Sequence, residues 1–507
     1  DILQRCARVH EVTEGFFAPA DVQAPRLEQS AELRAITSKW QSYPALRSER
    51  AQEIFERLER DIISRIQAQD RPLEVAAHLD GFLHGLPAGV QLFALFEANP
   101  QLIDLILDIV ATAPHLGQYL SRNSGVLDAV IGGTFFEPWP ACAALQADLS
   151  GQLAKADDYE SALDTSRRWA KEWHFRIGVH QLRGLISADE AGQQYCDLAK
   201  ASIAALYDVV VDAFSLKHGR PPGRGALVLG MGSLGAGRLT AASDLDMIVI
   251  YDAAGVDSSD GKRPLASRAY YARLTQALIT AVTAQTAQGR LYEVDMRLRP
   301  SGKQGPVATS FDSFKSYQKH EAWVWEHLAL TRACCVVGDA DLAKAVEAFR
   351  LDILRGTRSE ETIRFETSDM RRRLKEAKPG STWDPKSGAG RMMDIELLAE
   401  AAALIAGCAS QCVYDQLHSG LTLGWLTKQE HDTLCKTYRL TWRLQSAARL
   451  LTGDRLDPSV IGTDGRAFLL RSTQTDSIEA LSGQIAQACS EAESVLDRVL
   501  ARPVVTP

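Results

Sequence analysis

Three aspartates carry the spacing in this chain that best suits catalysis. Asp244 and Asp246 stand at the start of the apolar run Leu245–Tyr251, which predicts a strand. Side chains alternate between the faces of a strand, so the two carboxylates share one face at roughly 6.6 Å, while Leu245 points into the core. Asp295 is a third acid on a later predicted strand. Because it is distant in sequence, only the fold can bring it to the pair.

The pair of carboxylates predicts a cation site. At an effective dielectric constant of about 20, two charges at that distance repel by roughly 2.5 kcal/mol. Such repulsion raises one pKa or attracts a divalent cation. Clustered oxygen ligands suit Mg²⁺, which usually binds one or two carboxylates together with substrate phosphates. The open alternative is an exposed strand that carries two acids without a function.

A glycine-rich turn precedes the acidic strand. Ala226–Leu229 is a short apolar run that predicts a buried strand, and Gly230, Gly232, Gly235 and Gly237 follow it. Glycines allow the backbone to turn tightly beside a ligand. The N–H groups of such a turn are donors for phosphate oxygens. The turn and the acids together predict a nucleotide site.

The same glycines match a dinucleotide-binding pattern. Residues 230–235 fit G-x-G-x-x-G, and Asp252 stands near the position of a ribose-binding acid. Only residues 236–243 would remain for the crossover, whereas a βαβ connection needs at least about 10 to 12 residues. That arrangement would also bury Asp244 and Asp246 on a parallel strand. We keep dinucleotide binding as a disfavoured alternative.

The predicted strand Leu291–Leu298 carries Asp295. Alternation would place Glu293, Asp295, Arg297 and Arg299 on one face. A guanidinium binds phosphate oxygens through paired hydrogen bonds, so Arg297 and Arg299 are candidate nucleotide-binding residues. The alternative is that both arginines only balance the charge of the acids.

Helical patterns dominate the rest of the chain. The main predicted helices are Tyr159–Leu185, Leu265–Gln288, Phe311–Thr331, Ala340–Ile353, Glu360–Lys378, Met392–Ala406, Lys428–Leu451 and Thr473–Leu500. We therefore predict an α+β, mostly helical fold, in which helical bundles flank a small sheet. The predicted domains are 1–150, a helical bundle, 151–340, which holds the sheet, and 341–507, which is helical.

Some residues in these helices have competing interpretations. Trp323, Trp325 and His327 are predicted to lie in the core rather than to stack on a base. The basic run 371–373 is predicted to be a solvated face, with phosphate or acidic-partner contact as the alternative.

Composition limits the classes of function. The chain has 507 residues, 46% of them hydrophobic and 24% charged, and its net charge is −8. These values are ordinary for a soluble globular protein and disfavour a general nucleic-acid binder. No signal peptide or membrane span is predicted. A start without Met indicates a piece of a longer chain.

The cysteines predict a reducing compartment. The nine cysteines include no C-x₂-C pair, so we expect reduced thiols, no structural zinc and a cytoplasmic location. Cys408 and Cys412 are predicted to be small packed side chains rather than half of a metal site.

The residues described so far resemble a known superfamily. Gly232-Ser233, Asp244-Leu-Asp246 and the third acid at Asp295 resemble the nucleotidyltransferases typified by DNA polymerase β. This resemblance implies that the small sheet flanked by helical bundles is a mixed sheet. More narrowly, residues 230–246, 292–300 and 321–332 are similar to the glutamine synthetase adenylyltransferases, whose bifunctional members have two homologous halves.

Two further segments bear on this resemblance. Glu321-Ala-Trp-Val-Trp-Glu-His327 resembles the C-terminal, adenylylating half, and Gly388–Glu396 resembles a family motif in the helical part. Gly237-Arg238 departs from the Arg-Glu that the family pattern has after the glycine turn. Asp394 and Glu396 lie about 200° apart on a helix, so they cannot form a second carboxylate pair.

The resemblance implies an activity and a set of roles. The activity is transfer of AMP from ATP to a tyrosine of glutamine synthetase, in the regulation of nitrogen assimilation. Asp244 and Asp246 would hold Mg²⁺, and Asp295 would complete a second metal site and help deprotonate the hydroxyl. Gly232 and Ser233 would bind the β- and γ-phosphates.

Two alternatives remain beside the adenylylating activity. One is phosphorolytic removal of AMP by the same fold, and the other is a non-catalytic module that senses glutamine or the PII signal protein. Glutamine synthetase is the expected protein substrate, and PII and glutamine are the expected effectors. The C-terminal helical domain would then be regulatory or substrate-binding.

Overall fold

The computed structural model describes residues 30–69, 71–86, 88–113, 116–117, 119–120, 134–356, 358–453 and 455–502. These residues form two compact units. The first lies within Asp1–Trp139, Phe175–Ser187 and Ala447–Ile478, and the second within Pro140–His174, Ala188–Ser446 and Glu479–Pro507. The three consecutive domains predicted from the sequence stay a prediction.

The first unit is helical in its described residues. Its helices are Ala31–Thr37, Glu49–Gln67, Pro72–Gly85, Val90–Ala98, Gln101–Thr112 and Thr463–Thr473, with short 3₁₀ turns at Trp40–Ser42, Pro44–Leu46 and Thr134–Phe136. Glu49–Gln67 shows why these helices form. The Ser48 hydroxyl accepts a hydrogen bond from the N–H of Ala51 (3.2 Å), which caps the helix. The buried Ile54, Leu58 and Ile62 recur every fourth residue, so they form one apolar face.

The second unit combines helices with the sheet. Its helices are Cys142–Leu153, Ala188–His218, Gly232–Gly235, Ser267–Thr283, Phe311–His320, Val324–Leu330, Ala340–Leu354, Glu360–Ala377, Met392–Ala406, Val413–Thr422 and most of Ile478–Ala501, with a 3₁₀ turn at Gly302–Gln304. Tyr159–Leu182 and Lys428–Leu451 have residues in both units.

The sheet has five strands. They are β1 (Gly225–Gly230), β2 (Leu245–Asp252), β3 (Val294–Asp295), β4 (Ala308–Ser310) and β5 (Cys334–Gly338), in the order β3-β2-β1-β5, with β4 also beside β2. β1 is antiparallel to β2 and β5, and β2 is parallel to β3 and β4. The predicted α+β, mostly helical fold with a small mixed sheet is confirmed.

The strand directions exclude the dinucleotide interpretation. β1 and β2 pair antiparallel, with Gly225 opposite Asp252, whereas a βαβ unit requires parallel strands. Asp252 also has other partners, because its Oδ1 accepts the N–H of Ala254 (2.8 Å) and its Oδ2 lies 3.4 Å from Arg224. The match of the glycines to that pattern is therefore coincidental.

The prediction of a strand over Leu291–Leu298 is wrong except at Val294 and Asp295. Only Val294 and Asp295 pair with β2. The Asp295 carboxylate accepts the N–H of Arg297 (2.8 Å), which turns the chain out of the sheet. The alternation that placed Arg297 and Arg299 on the face of Asp295 does not apply after that turn.

The single helix predicted at Phe311–Thr331 is wrong as well. Phe311–His320 ends before Val324–Leu330 begins, and the Glu326 side chain accepts the N–H of Trp323 (2.9 Å) to cap the second helix. Trp323 is 65% exposed and Trp325 40%, so the prediction that both lie in the core is wrong. The third residue of that prediction, His327, is buried.

Two other helical predictions need correction. Arg371 is not on a solvated face, because it is buried and its Nε donates to Asp394 at 2.6 Å. The helix predicted at Thr473–Leu500 begins later, at Ile478, because the preceding helix ends at Thr473 and Gln474 adopts a left-handed φ of 58°. The helices Met392–Ala406 and Lys428–Leu451 have the predicted bounds.

One apolar cluster supports the sheet. Leu227 and Leu229 of β1 and Ile248 and Ile250 of β2 are buried in it. Helical residues that pack on these strands complete the cluster: Phe314, Leu330, Leu342, Val346 and Ile353. Removal of this much apolar surface from water makes the sheet a rigid support for the acids at its edge.

Candidate active site

The sheet brings two of the three predicted acids together. Asp246 lies opposite Asp295 in the parallel pairing of β2 with β3, and Leu245 lies opposite Val294. Neighbouring strands are about 4.8 Å apart, so the two aspartates are adjacent. Asp244 stands one residue before β2 and is exposed, whereas Asp246 is half-buried and Leu245 is fully buried, as predicted.

The glycine turn lies against Asp246. The N–H of Met231 donates to the carbonyl of Asp246 (2.8 Å), and Gly232–Gly235 then forms one helical turn. A Cβ at Gly232 would lie 2.5 Å from Asp246 Oδ2. A side chain at Gly232 would therefore displace the carboxylate. Ser233 follows in the same turn, and its carbonyl accepts the N–H of Arg238 (3.0 Å).

The acids differ in their electrostatic surroundings. Burial, and then the neighbouring Asp295, raise the pKa of Asp246 above its ordinary value, while Lys386 and Arg332 act in the opposite direction. The hydrogen bond from Arg297 is the largest cause of the lowered pKa of Asp295. Asp246 is thus the carboxylate with the stronger need for a cation.

The two candidate phosphate-binding arginines have protein partners in this structure. Arg297 donates through its backbone N–H to Asp295 Oδ1 (2.8 Å) and through Nε to Asp295 Oδ2 (2.6 Å). Arg299 donates to the carbonyls of Met296 (2.8 Å) and Gly305 (3.2 Å). In this arrangement Arg297 balances the charge of the acid and Arg299 stabilises the turn after it.

The three aspartates offer the type of oxygen ligand that a hard cation prefers, but in this structure they are not arranged around a common point. Carboxylate oxygens of Asp244, Asp246 and Asp295 are the ligand type that Mg²⁺ prefers. Within the residues that the structure describes, no three His, Cys, Asp or Glu side chains are gathered so that they could hold a metal ion. Both Asp295 oxygens accept hydrogen bonds from Arg297, so a cation would share this carboxylate with Arg297.

A buried ionic cluster, which the sequence did not predict, lies behind the glycine turn. Arg332 Nη1 is 3.0 Å from Glu396 and 3.5 Å from Glu400, and Tyr438 donates to Glu396 at 2.9 Å. A Cβ at Gly235 would lie 2.0 Å from the carbonyl oxygen of Arg332, so Arg332 leaves no room for a side chain there. Burial raises the pKa of Glu400 to about 7.

The signal for this cluster in the sequence is weak. Arg332 ends the segment 321–332 and Glu396 ends the motif 388–396, but no local spacing links the two segments. Asp394 and Glu396 do have different partners, as the helical geometry predicted: Asp394 binds Arg371.

The departure from the family pattern at position 238 has a structural role. The Arg238 guanidinium lies 4.6 Å from the ring centre of Trp442 and 5.5 Å from that of Tyr414. It also forms an ion pair with Asp189. These contacts engage Arg238 in packing of the second unit.

A cleft adjoins Asp244. Its volume is about 320 Å³, and it is lined by Ala170, Lys171, His174, Ala241, Ala242, Ser243, Asp244, Arg290, Leu291, Tyr292 and Glu293. Burial lowers the pKa of His174, whose Nε2 is bonded to the carbonyl of Ala241 at 2.8 Å. The wall of the cleft is therefore uncharged at His174, and Asp244 stands at its edge.

A glycine turn that faces paired aspartates on a small mixed sheet is the kind of site that nucleotidyl transfer uses. Residues 103–349 match the family model described as glutamate-ammonia ligase adenylyltransferase. These residues, about half of the chain, are identified as a domain of this family. No helix in the described residues combines the length and the apolar character that a membrane span requires.

Several curated relatives carry the same name, bifunctional glutamine synthetase adenylyltransferase/adenylyl-removing enzyme. The protein from Brucella suis is 34% identical over 481 residues, which are 93% of this chain and 49% of the relative. The protein from Mesorhizobium japonicum is 41% identical over 387 residues, with coverage of 76% and 39%. The protein from Rhizobium meliloti is 37% identical over 442 residues, with coverage of 85% and 45%. The chain thus spans about half the length of these relatives.

Proposed function

We propose that this chain transfers AMP from ATP to a tyrosine hydroxyl of glutamine synthetase. The observation that carries the proposal is the contact of the glycine turn with Asp246, beside Asp295, in a domain of this family. The relatives' names supply the reaction and the protein substrate. The turn has no room for a side chain at Gly232, where a Cβ would meet the Asp246 carboxylate; a glycine at this position suits close approach of a nucleotide to the backbone.

The residues take the following roles. Asp244 and Asp246, with Asp295, would hold Mg²⁺, which supplies charge neutralisation of the triphosphate when it is bound. The backbone of Gly232 and Ser233 would bind the β- and γ-phosphates. Arg297 keeps Asp295 ionised, because its hydrogen bonds favour the carboxylate form.

Transfer of AMP forms one bond at the α-phosphorus of ATP and breaks another. The tyrosine oxygen forms a bond to the α-phosphorus, and the bond from that phosphorus to the oxygen that bridges to the β-phosphorus breaks. Pyrophosphate leaves with the electron pair of the broken bond. The proton of the hydroxyl passes to the Asp295 carboxylate, which the hydrogen bonds from Arg297 hold in the ionised form before the reaction.

The charges at the site favour addition of AMP over its removal, because three carboxylates repel the phosphate that removal needs. Removal brings inorganic phosphate, an anion, to a site with three carboxylates and therefore needs basic groups at the entry. Arg297 is engaged with Asp295 and Arg299 with main-chain carbonyls. The resemblance of Glu321–His327 to the adenylylating half agrees with this direction. Removal remains the second candidate, since the relatives' name includes both activities.

Regulation is proposed on the resemblance, and location on the scattered cysteines of the sequence. Glutamine and the PII signal protein are the effectors that the resemblance implies, and the cytoplasm is the compartment. Of the three predicted domains, residues 151–340 would be catalytic, and residues 341–507 would be regulatory or would bind the protein substrate.

The test is a transfer assay with one matched variant. The chain is incubated with labelled ATP, Mg²⁺ and unmodified glutamine synthetase, and label on a single tyrosine is expected. Asp246→Asn should reduce the rate by roughly 10³-fold, about 4 kcal/mol in the barrier. Its stability at pH 7 should not fall, because the raised pKa of Asp246 means that ionisation of this residue destabilises the folded state.

The opposite reaction is followed in parallel. Adenylylated glutamine synthetase is supplied with phosphate and Mg²⁺, and release of ADP is measured. Release of ADP that is faster than addition of AMP would reverse the proposed direction. Full transfer by Asp246→Asn would refute the assignment of the acids.

A further inference from the structure

We propose that the cleft beside Asp244 receives the tyrosine-bearing segment of the protein substrate, so that the acceptor hydroxyl reaches the α-phosphorus from the β3 side of the sheet. The inference rests on the proposed function and deepens it, because it assigns a surface to the acceptor. The cleft has a volume of about 320 Å³, and all the residues that line it belong to the second unit.

The cleft lies where two parallel strands begin. Residues 241–244 lead into β2 and residues 290–293 lead into β3, and both segments line the cleft. The paired aspartates Asp246 and Asp295 each stand two residues after the end of their segment. The cleft therefore adjoins the acidic edge of the sheet between β2 and β3.

A helix forms the third wall of the cleft and is bonded to the chain on both sides of it. Lys171 and His174, in the helix Tyr159–Leu182, line the cleft. His174 Nε2 is bonded to the carbonyl of Ala241 at 2.8 Å, just before β2, and Lys171 donates to the carbonyl of Gln288, just before β3. These bonds fix the three walls relative to one another, as a binding site requires.

The order of the strands separates the glycine turn from the cleft. The turn follows β1 and contacts Asp246, whereas the cleft adjoins the start of β3, and β2 lies between β1 and β3. In phosphoryl transfer the attacking and leaving oxygens lie roughly in line through the phosphorus. Pyrophosphate bound at the glycine turn leaves on the β1 side. The acceptor oxygen therefore attacks from the β3 side, where Asp295 and the cleft lie.

The lining of the cleft suits a protein side chain better than a triphosphate. Its charged side chains are two cations and two carboxylates, so it offers no excess of positive charge: Lys171, Arg290, Asp244 and Glu293. The arginine and the glutamate also form an ion pair with each other. Three alanines and Leu291 supply apolar surface. A tyrosine, which has an apolar ring and one hydroxyl, has the matching character.

Kinetic constants for the two substrates test the assignment. Ala242 lines the cleft and is exposed, in the turn Thr240–Ser243, so Ala242→Trp adds an indole ring to the cleft. The matched control is Ala287→Trp, because Ala287 is exposed in the turn Thr286–Gly289, outside the lining of the cleft. Ala242→Trp should raise the KM for glutamine synthetase by about tenfold or more and change the KM for Mg-ATP by less than about twofold, whereas Ala287→Trp should change neither.

A protection measurement avoids the bulky side chain. The variant Ala242→Cys is alkylated with N-ethylmaleimide, and modification at position 242 is followed by mass spectrometry of the peptide that contains it. Glutamine synthetase should slow this alkylation, because its tyrosine-bearing segment covers the position. Mg²⁺ with a non-hydrolysable ATP analogue should not slow it.

The outcomes separate this inference from the proposed function. An unchanged KM for glutamine synthetase in Ala242→Trp, with transfer by wild type intact, overturns the inference and leaves the function standing. A larger effect on the KM for Mg-ATP, or protection by the analogue alone, overturns it too, because the nucleotide would then occupy the cleft. An equal effect of Ala287→Trp also overturns it. Failure of the wild-type chain to transfer AMP overturns the proposed function and the inference with it.

Discussion

Gly232→Ala should separate catalysis from stability at this site. Gly232 has φ of 52°, in the left-handed region, and a Cβ there would lie 2.5 Å from Asp246 Oδ2 and 3.2 Å from its Cγ. The backbone conformation costs alanine about 1–2 kcal/mol. The overlap is relieved only when the carboxylate moves by about 1 Å, since carbon and oxygen atoms in contact lie at roughly 3.5 Å.

The expected loss of activity follows from that displacement. A shift of about 1 Å in a reacting geometry costs on the order of 10²-fold in rate, equivalent to about 2.7 kcal/mol in the barrier. The rate of labelled AMP transfer at saturating ATP measures it, and urea unfolding measures the stability. The rate should fall by about 10²-fold while the variant remains folded.

Gly237→Ala is the matched control. Gly237 has φ of 77°, also left-handed, but a Cβ there would meet nothing within 4 Å. The two variants should therefore lose similar stability, and only Gly232→Ala should lose transfer. Equal activity of the two variants would refute the argument that Gly232 is required for the position of Asp246.

Two more predictions concern stability. Because burial raises the pKa of Glu400 from 4.5 to about 7, ionisation of Glu400 destabilises the folded state as the pH rises from 4.5 to 7. The unfolding free energy of Glu400→Gln relative to wild type should then increase by up to about 3 kcal/mol between pH 4.5 and 7.5; a pH-independent difference in urea titrations would contradict this. Trp323→Ala should change stability by less than about 0.5 kcal/mol because Trp323 is exposed, whereas Trp442→Ala should cost about 3–5 kcal/mol because Trp442 is buried. Equal shifts of the two melting temperatures would show that the exposure assigned to Trp323 is wrong.

The accuracy of the sequence-based predictions follows the range of the interactions. Helices such as Met392–Ala406 and Lys428–Leu451 have the predicted bounds, because their apolar periodicity is local. The strand around Asp295 is shorter than predicted, because one hydrogen bond from the N–H of Arg297 ends it. Periodicity does not reveal such a bond.

Exposure was harder to predict than secondary structure. Trp323 and Trp325 are exposed and Arg371 is buried, the reverse of what their residue types suggest. A long arginine side chain can be buried when carboxylates satisfy it, as Asp394 does for Arg371. The partner is supplied by another segment, so the residue type alone cannot settle the question.

The sequence by itself determined the mostly helical character of the chain, the alternation of Asp244, Leu245 and Asp246, and the glycine turn before them. These features depend on residues that are close together in the chain, where steric rules and side-chain periodicity act directly. Only the tertiary structure decided that Asp295 lies opposite Asp246, that Arg297 engages Asp295, and that Arg332 pairs with Glu396 behind the glycine turn. Those relations depend on packing between segments that are distant in sequence, for which one chain carries no local signal.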